Sequence, residues 1–362
     1  MNYRLSTLFA RKNYAADATE VIDLNVSDPI SQLIIELAVT NVGSIAPTAH
    51  AIACLTKIEL VDGSDVLFSL SGYEAEAVDI YHNKQMRSNW NPYLDGMDVQ
   101  RFIAINFGRW LWDEVLAFDR KKFRNPQLKL TLDINAGGNA PVQNRLQVWA
   151  NMFDEKAVTP MGFLMHKEIK SYVAGASAHE YTDLPTDYPY RKLFIRCQKH
   201  GTEPGQVLDT VKISEDQDKR IIVNHGMEDV FRNIAQENPM LTEIINGYVG
   251  TASTYGYCTP TTRTIGSCQQ WAAAVAAGAI AFYDGDGGRF KVITETAGKN
   301  MQAIVHGWLP HGTYEIPFGN QRDIDDWYFA PAVGSLRADI LALAGIAGTE
   351  TVQLFLQQLR MY

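Results

Sequence analysis

Apolar and polar residues alternate along most of this chain with a period of two, the pattern of strands that turn one face to a core. Val21–Val26 (VIDLNV) alternates, Gln32–Thr40 (QLIIELAVT) is apolar almost throughout, and Ala51–Val61 follows. Asp62-Gly63-Ser64-Asp65 then supplies a turn before Val66–Leu70. Phe102–Phe107, Gln127–Ile134 and Arg145–Met152 continue the series, which makes roughly eight strands separated by turn signals. Within this stretch Gly72–Met86 (GYEAEAVDIYHNKQM) has helical spacing. A polar, Pro- and Gly-containing break near Asp154–Leu164 interrupts the pattern, and the plan then returns. Its second set is Glu168–Val173, Lys192–Cys197, Val207–Ile213, Arg220–Val223, a helix Gly226–Gln236, Gln302–Leu309, Ala338–Leu343 and Val352–Arg360.

The return is a repeat. Residues 56–76 (TKIELVDGSDVLFSLSGYEAE) match residues 210–229 (TVKISEDQDKRIIVNHGMED) as strand, acidic turn, second strand and a helix-opening glycine, Gly72 or Gly226. Residues 126–151 match 334–359 as strand, Ala/Gly turn and closing strand. A unit this long is a whole domain and not a solenoid repeat, and 362 residues suit two domains. The reading is an arm over 1–18, a first sandwich over 19–158, and a second over 165–362 with an insertion at about 238–300. That insertion, rich in Gly, Thr, Ala and Tyr, is the outward-facing feature, since loops carry variation while the scaffold stays fixed. Eight strands with a short helix between the middle ones is the order of a jelly roll, so the expected fold is all-β, two jelly rolls in tandem.

Charge and composition narrow the function. The formal charge is −9, and the 32 basic residues form no cluster of five or more, which argues against direct nucleic-acid binding. No apolar run reaches the ~18 residues of a membrane helix; the longest, Trp271–Tyr283, contains Gly278 and reads as core or subunit interface. The first residues, MNYRLSTLFARKN, lack the apolar stretch of a secretion signal, so the expected site of synthesis and first use is the cytosol. Arg4, Leu8, Phe9 and Arg11 fit a short amphipathic helix, either a frayed terminus or an arm that docks on a neighbouring subunit or an anionic lipid surface. Cys54, Cys197, Cys258 and Cys268 show no C-x-x-C spacing and read as buried thiols; Cys258 and Cys268 are also near enough in sequence to bridge a loop.

Catalytic motifs are missing: there is no H-E-x-x-H, G-x-S-x-G or phosphate-loop pattern. His306 and His311 flank Leu309-Pro310 at turn spacing and read as structural. Asp284 and Asp286 (DGDGG) resemble a fragment of a calcium loop without its distal glutamate; a hairpin turn between Ala281–Tyr283 and Phe290–Ile293 is the plainer reading. Aromatic residues gather in Phe107–Trp112 (FGRWLW, with Trp110 and Trp112) and Trp327–Phe329 (WYF). Such rings serve core and intersubunit surface, or stack on sugars in a carbohydrate-binding or glycan-processing protein built on tandem jelly rolls.

The run IELVDGSDVLFSLSGYEAEAVDIY, followed by FGRWL and KKFRNPQLKLTLDIN, resembles the major capsid proteins of tailless, lipid-containing icosahedral bacteriophages, which share the adenovirus-hexon architecture. The resemblance is most specific over residues 50–152. It implies a double jelly roll with no enzymatic activity, forming a homotrimer of pseudo-hexagonal outline that tiles a shell over an internal membrane. Loops at one end would rise as towers, and the N-terminal arm would lie near the membrane. The implied partners are neighbouring capsomers and minor capsid or vertex proteins, and the implied location is the virion, assembled in the host cytoplasm. Arg4, Leu8, Phe9, Arg11, Trp110, Trp112, Trp271 and Trp327 are the candidate assembly residues.

Overall fold

The first half of the chain lays down Tyr3–Tyr14 (β1), Ala18–Asp23 (β2), Ile30–Thr40 (β3), Leu55–Asp62 (β4), Asp65–Leu70 (β5), helix Gly72–Asn83 (α1), Trp90–Pro92 (β6), Asp98–Asn106 (β7), Pro126–Leu132 (β8) and Gln143–Phe153 (β9). The second half begins again with Gly162–Val173 (β10), His179–Leu184 (β11), Tyr190–Cys197 (β12), Leu208–Glu215 (β13), Arg220–Gly226 (β14) and helix Met227–Glu237 (α2). An excursion follows: Leu241–Val249 (β15), Ser253–Tyr257 (β16), Pro260–Ala272 (β17), Val275–Ile280 (β18), Phe282–Tyr283 (β19), Arg289–Ile293 (β20) and Lys299–Pro310 (β21). Thr313–Pro317 (β22), Leu336–Ala342 (β23) and Thr351–Met361 (β24) close the chain. This is a computed structural model that describes residues 1–249, 253–272, 275–280, 282–283, 285–293 and 298–362, without the side chains of 253, 270–272, 275–280, 282–283, 293 and 299.

The repeat seen in the sequence is a repeat of topology. One sheet of the first sandwich runs β1-β9-β3-β7, and its counterpart in the second half runs β10-β24-β12-β22. The facing sheets run β2-β8-β4-β5 and β11-β23-β13-β14. Matching strands carry matching burial: β8 (PQLKLTL) and β23 (LRADILA) both alternate strictly between buried and half-buried positions. β3 and β12, central in their sheets, are buried on both faces over most of their length. β5 also pairs in parallel with β10 at Phe68↔His166 and Ser69↔Lys167, so eight strands, β2-β8-β4-β5-β10-β24-β12-β22, form one sheet through both halves. Arg360 on β24 closes the junction on Asp65, with one contact at 2.9 Å. Most buried apolar residues of both halves belong to one cluster, and Leu116, Leu164, Trp327 and Leu359 form a smaller one.

α1 is wedged between the halves. Ser71 caps it, accepting the Glu74 N–H while the Glu74 carboxylate accepts the Ser71 N–H at 2.7 Å. Gly72 is required by close approach, because a Cβ there would stand 2.5 Å from the Leu55 carbonyl oxygen and 2.8 Å from that of Ile52. Gly226, its counterpart before α2, has no such crowding: the nearest atom to a Cβ is 3.7 Å away.

Three expectations change. Residues 3–14 are a strand and not an amphipathic helix: β1 pairs with β9 from Tyr3↔Phe153 to Tyr14↔Asn144, as an edge strand of the first sandwich. The strand of the second half that matches β7 is β22, not the run 302–309; that run lies in β21, which pairs with β15 and β17. Finally, the excursion is built as sheets, β18-β17-β21-β15-β6 and β16-β20-β19, so the protrusion is not a loop. β6 of the first half joins β15 in parallel at Trp90↔Ile244, so both halves contribute to this tower.

Candidate functional site

Where the tower meets the first sandwich, seven polar residues from seven separate segments converge on a buried node. Arg101 points inward from β7 and is fully buried. Its Nε donates to Glu76 Oε1 of α1 at 2.9 Å, and its Nη1 donates to Glu243 Oε1 of β15 at 3.0 Å and to Asn91 Oδ1 of β6 at 2.9 Å. Glu243 also accepts the Thr259 backbone N–H at 2.7 Å and an Asn91 amide hydrogen at 2.8 Å. His311, between β21 and β22, lies 2.8 Å from Glu76 Oε2 through Nε2, and His50 Nε2 lies 3.7 Å from Glu243 Oε1. Buried charge is tolerated only when paired and hydrogen-bonded, and this network supplies both.

Burial alone would push both carboxyls up. For Glu76, the Arg101 guanidinium and the His311 contact outweigh it; for Glu243, the His50 contact and Arg101 do so, and both carboxyls are held at about 2. Burial takes His311 down to about 4 despite the opposing pull of Glu76. His50, Glu76 and His311 offer ligand atoms within 4.8 Å of one another. Their bonding suits a proton network better than a metal: Arg101 already occupies Glu76, and His50 Nδ1 accepts the Ile52 N–H at 3.3 Å, which leaves the imidazole proton on Nε2. The sequence does hold a trace of the node. Val99, Arg101, Ile103 and Ile105 share one face of β7, so parity alone puts a cation on the apolar side.

The candidate assembly residues separate into two groups. Arg4 donates to Asp28 at 2.6 Å, Arg11 lies 3.6 Å from Glu36, and Leu8 and Phe9 pack on the apolar cluster. Trp112 stacks on Tyr3, with centroids 4.3 Å apart, and meets Phe153 edge-on. Trp327 is only 4% exposed and donates its indole N–H to the Asn320 carbonyl at 3.0 Å. Leu8, Phe9, Trp112 and Trp327 pack within the fold, Arg4 and Arg11 pair at its surface, and the buried Trp327 ring is closed to a sugar. Trp110, in contrast, is 45% exposed, with the Arg109 guanidinium 4.4 Å from its ring centroid. Leu111, Val115 and Phe329 are exposed in the loops that follow β7 and β22, and sequence reasoning did not single out the first two.

The Trp271 side chain and Asp284 lie outside the described residues. Asp286 braces β17, accepting the Thr264 N–H at 3.0 Å. β19 and β20 pair antiparallel as the expected hairpin, Phe282↔Val292 and Tyr283↔Lys291. All four cysteines are buried and free. The two histidines at turn spacing part company: His306 Nδ1 meets Thr242 Oγ1 at 2.9 Å on the tower sheet, whereas His311 enters the node.

Two jelly rolls in one polypeptide, joined through a shared sheet and both contributing strands to the inserted sheet, define the double jelly-roll fold. No protein-family model and no curated protein matches the sequence. Among solved structures the chain is similar over its whole length to the major capsid protein of STIV, Sulfolobus Turreted Icosahedral Virus, at 12% identity and a TM-score of 0.61, covering 100% of this chain and 97% of that one. It is similar to the major capsid protein of bacteriophage PM2 at 11% identity and a TM-score of 0.56, covering 99% and 98%. It is likewise similar to the PBCV-1 virus capsid at 11% identity and a TM-score of 0.57, covering 99% and 94%.

Proposed function

We propose that this chain is the major capsid protein of a tailless icosahedral virus, and that its activity is self-association. The observation that carries this reading is the end-to-end likeness to capsid proteins, which extends over both sandwiches. In this reading three chains set six sandwiches around one axis, so that a three-fold assembly fills a nearly six-fold lattice site. The tower faces outward. The opposite end, where Met1 pairs with Glu155 beside the linker between the halves, faces an internal membrane. Exposed Trp110, Leu111, Val115 and Phe329 at that end then serve contacts with neighbouring capsomers, minor capsid or vertex proteins, or lipid. Many weak contacts held at once suffice for a stable shell.

Native mass spectrometry of the purified chain is expected to give a trimer of about 120 kDa, three times the 40.4 kDa chain. Electron micrographs should show particles of hexagonal outline. A stable monomer under all conditions contradicts the proposal.

A further inference from the structure

A cleft of about 680 Å³ opens between the C-terminal end of α1, the loop after β7, the start of β12 and β22 with the loop beyond it. Its lining includes Lys84, Arg109, Arg191, Lys192 and Arg322. In a chain where 41 acidic residues outnumber 32 basic ones, this gathering runs against composition. Its cations come from four distant segments, so no basic run in the sequence announces it.

Glu237 and Glu315 also line the cleft, and with Asp113 on Arg109 these three carboxylates answer five cations, which leaves positive charge over. Asp113 neutralises Arg109 through contacts of 2.7 and 2.9 Å, and Glu315 neutralises Lys192 at 2.7 Å. Arg191 is 5% exposed, yet its hydrogen bonds go to neutral acceptors: the Gln321 carbonyl at 3.3 and 3.2 Å and Gln357 Oε1 at 3.0 Å. Lys84 donates to the carbonyl oxygen of Glu237 at 2.8 Å, again a neutral acceptor. Arg322 is exposed and has no ion pair among the described residues. A guanidinium out of water with no hydrogen-bonded counter-charge is costly, even with Glu315 nearby, and an anion would offset that cost. The local field agrees with this charge count. Burial, then Arg191 and Lys192, hold His166 down to about 3, and burial and the same two cations push His82 the same way.

We propose that this cleft is a binding site for a phosphate-class oxyanion, held by Arg191 and Arg322 with Lys84 at its rim. Guanidinium forks match the oxygens of a phosphate group, and the volume suits a small ligand. The same chemistry is offered by free phosphate and by a phospholipid headgroup, whose chains would meet exposed Trp110 and Leu111 beside the cleft.

The test uses the full chain in its native assembly. Calorimetric titration with inorganic phosphate and with pyrophosphate, against chloride at equal ionic strength, is run beside co-sedimentation with phosphatidylglycerol and phosphatidylcholine vesicles. Saturable binding of phosphate or pyrophosphate is expected, weakened at least about tenfold in Arg322→Ala, an exposed position that leaves the fold intact. Lys84→Ala combined with Arg322→Ala should abolish it. Binding of the soluble anions with no preference between vesicles assigns free phosphate. Preference for phosphatidylglycerol that pyrophosphate competes away, and that is lost in Arg322→Ala, assigns the headgroup. Absence of binding in every arm overturns the proposal, as does unchanged binding in the double variant. So does a double variant that alters only the oligomeric state, because the cations then serve carboxylates of another copy.

Discussion

The two sandwiches share one strand order but use the same position, between the fifth and seventh strands, in opposite ways. α1 is buried on nearly every side and carries Glu76 and Asp79 into the interior. α2 buries only Met227, Val230, Phe231 and Ile234 along one stripe and keeps its charges at the surface. The repeated plan therefore places a helix twice, and location decides its chemistry. The copy between the halves became a bracket between sandwich and tower, whereas the copy at the outer edge remained an ordinary amphipathic helix.

Substitutions at matched places break this comparison most sharply. Arg101→Ala leaves Glu76 and Glu243 buried without their cation and is expected to cost about 3–5 kcal/mol in denaturant unfolding. Arg232→Ala on α2 removes exposed contacts to Glu228 at 3.3 Å and Asp229 at 3.6 Å. It should change stability by less than about 1 kcal/mol. A similar loss for both would mean that the node is not a structural bracket.

The aromatic loops after the seventh strands come next. Trp327→Ala empties a buried site and should cost about 3 kcal/mol. Trp110→Ala should leave thermal stability within about 0.5 kcal/mol while lowering particle yield. The paired glycines follow: Gly72→Ala is expected to destabilise by about 1–3 kcal/mol through overpacking. Gly226→Ala should stay within about 1 kcal/mol by the same melting assay.

Acidity gives the most gradual effect. His311 is held at about 4 against an ordinary 6.5, and Glu76 and Glu243 at about 2 against 4.5. In each case the folded chain binds fewer protons than the unfolded one. The contribution of these three groups is thus complete above about pH 6.5. It falls through His311 toward about 4, and through the two carboxyls between about 4.5 and 2. The melting temperature of His311→Asn should slope less steeply between about pH 6.5 and 4 than that of the parent chain.

Much of this was legible in the string because strand parity is a local signal. The paired segments 56–76 and 210–229 fold as β4, β5, α1 and β13, β14, α2, in equivalent places. The N-terminal strand escaped notice for a local reason as well. Bulges between Thr7 and Phe9 and between Phe9 and Lys12 shift its register, so Tyr3, Leu5, Leu8 and Phe9 do not alternate. The error over 302–309 is of another kind. β21 and β22 are both apolar strands, and only their partners, the tower for one and β12 for the other, tell them apart. The node was hidden by distance, since residues 50, 76, 91, 101, 243, 259 and 311 meet only after the tower folds back on the first sandwich.

The shared eight-stranded sheet also bears on shape at a larger scale. Because a ladder of backbone bonds crosses from β5 to β10, the angle between the two sandwiches is set by strand pairing and not by a linker free to bend. The two sandwiches are thus held side by side through one sheet. In the proposed shell the curvature then falls at the seams between neighbouring chains, so changes that alter particle diameter should map to the outer contacts and leave the interior of the chain alone.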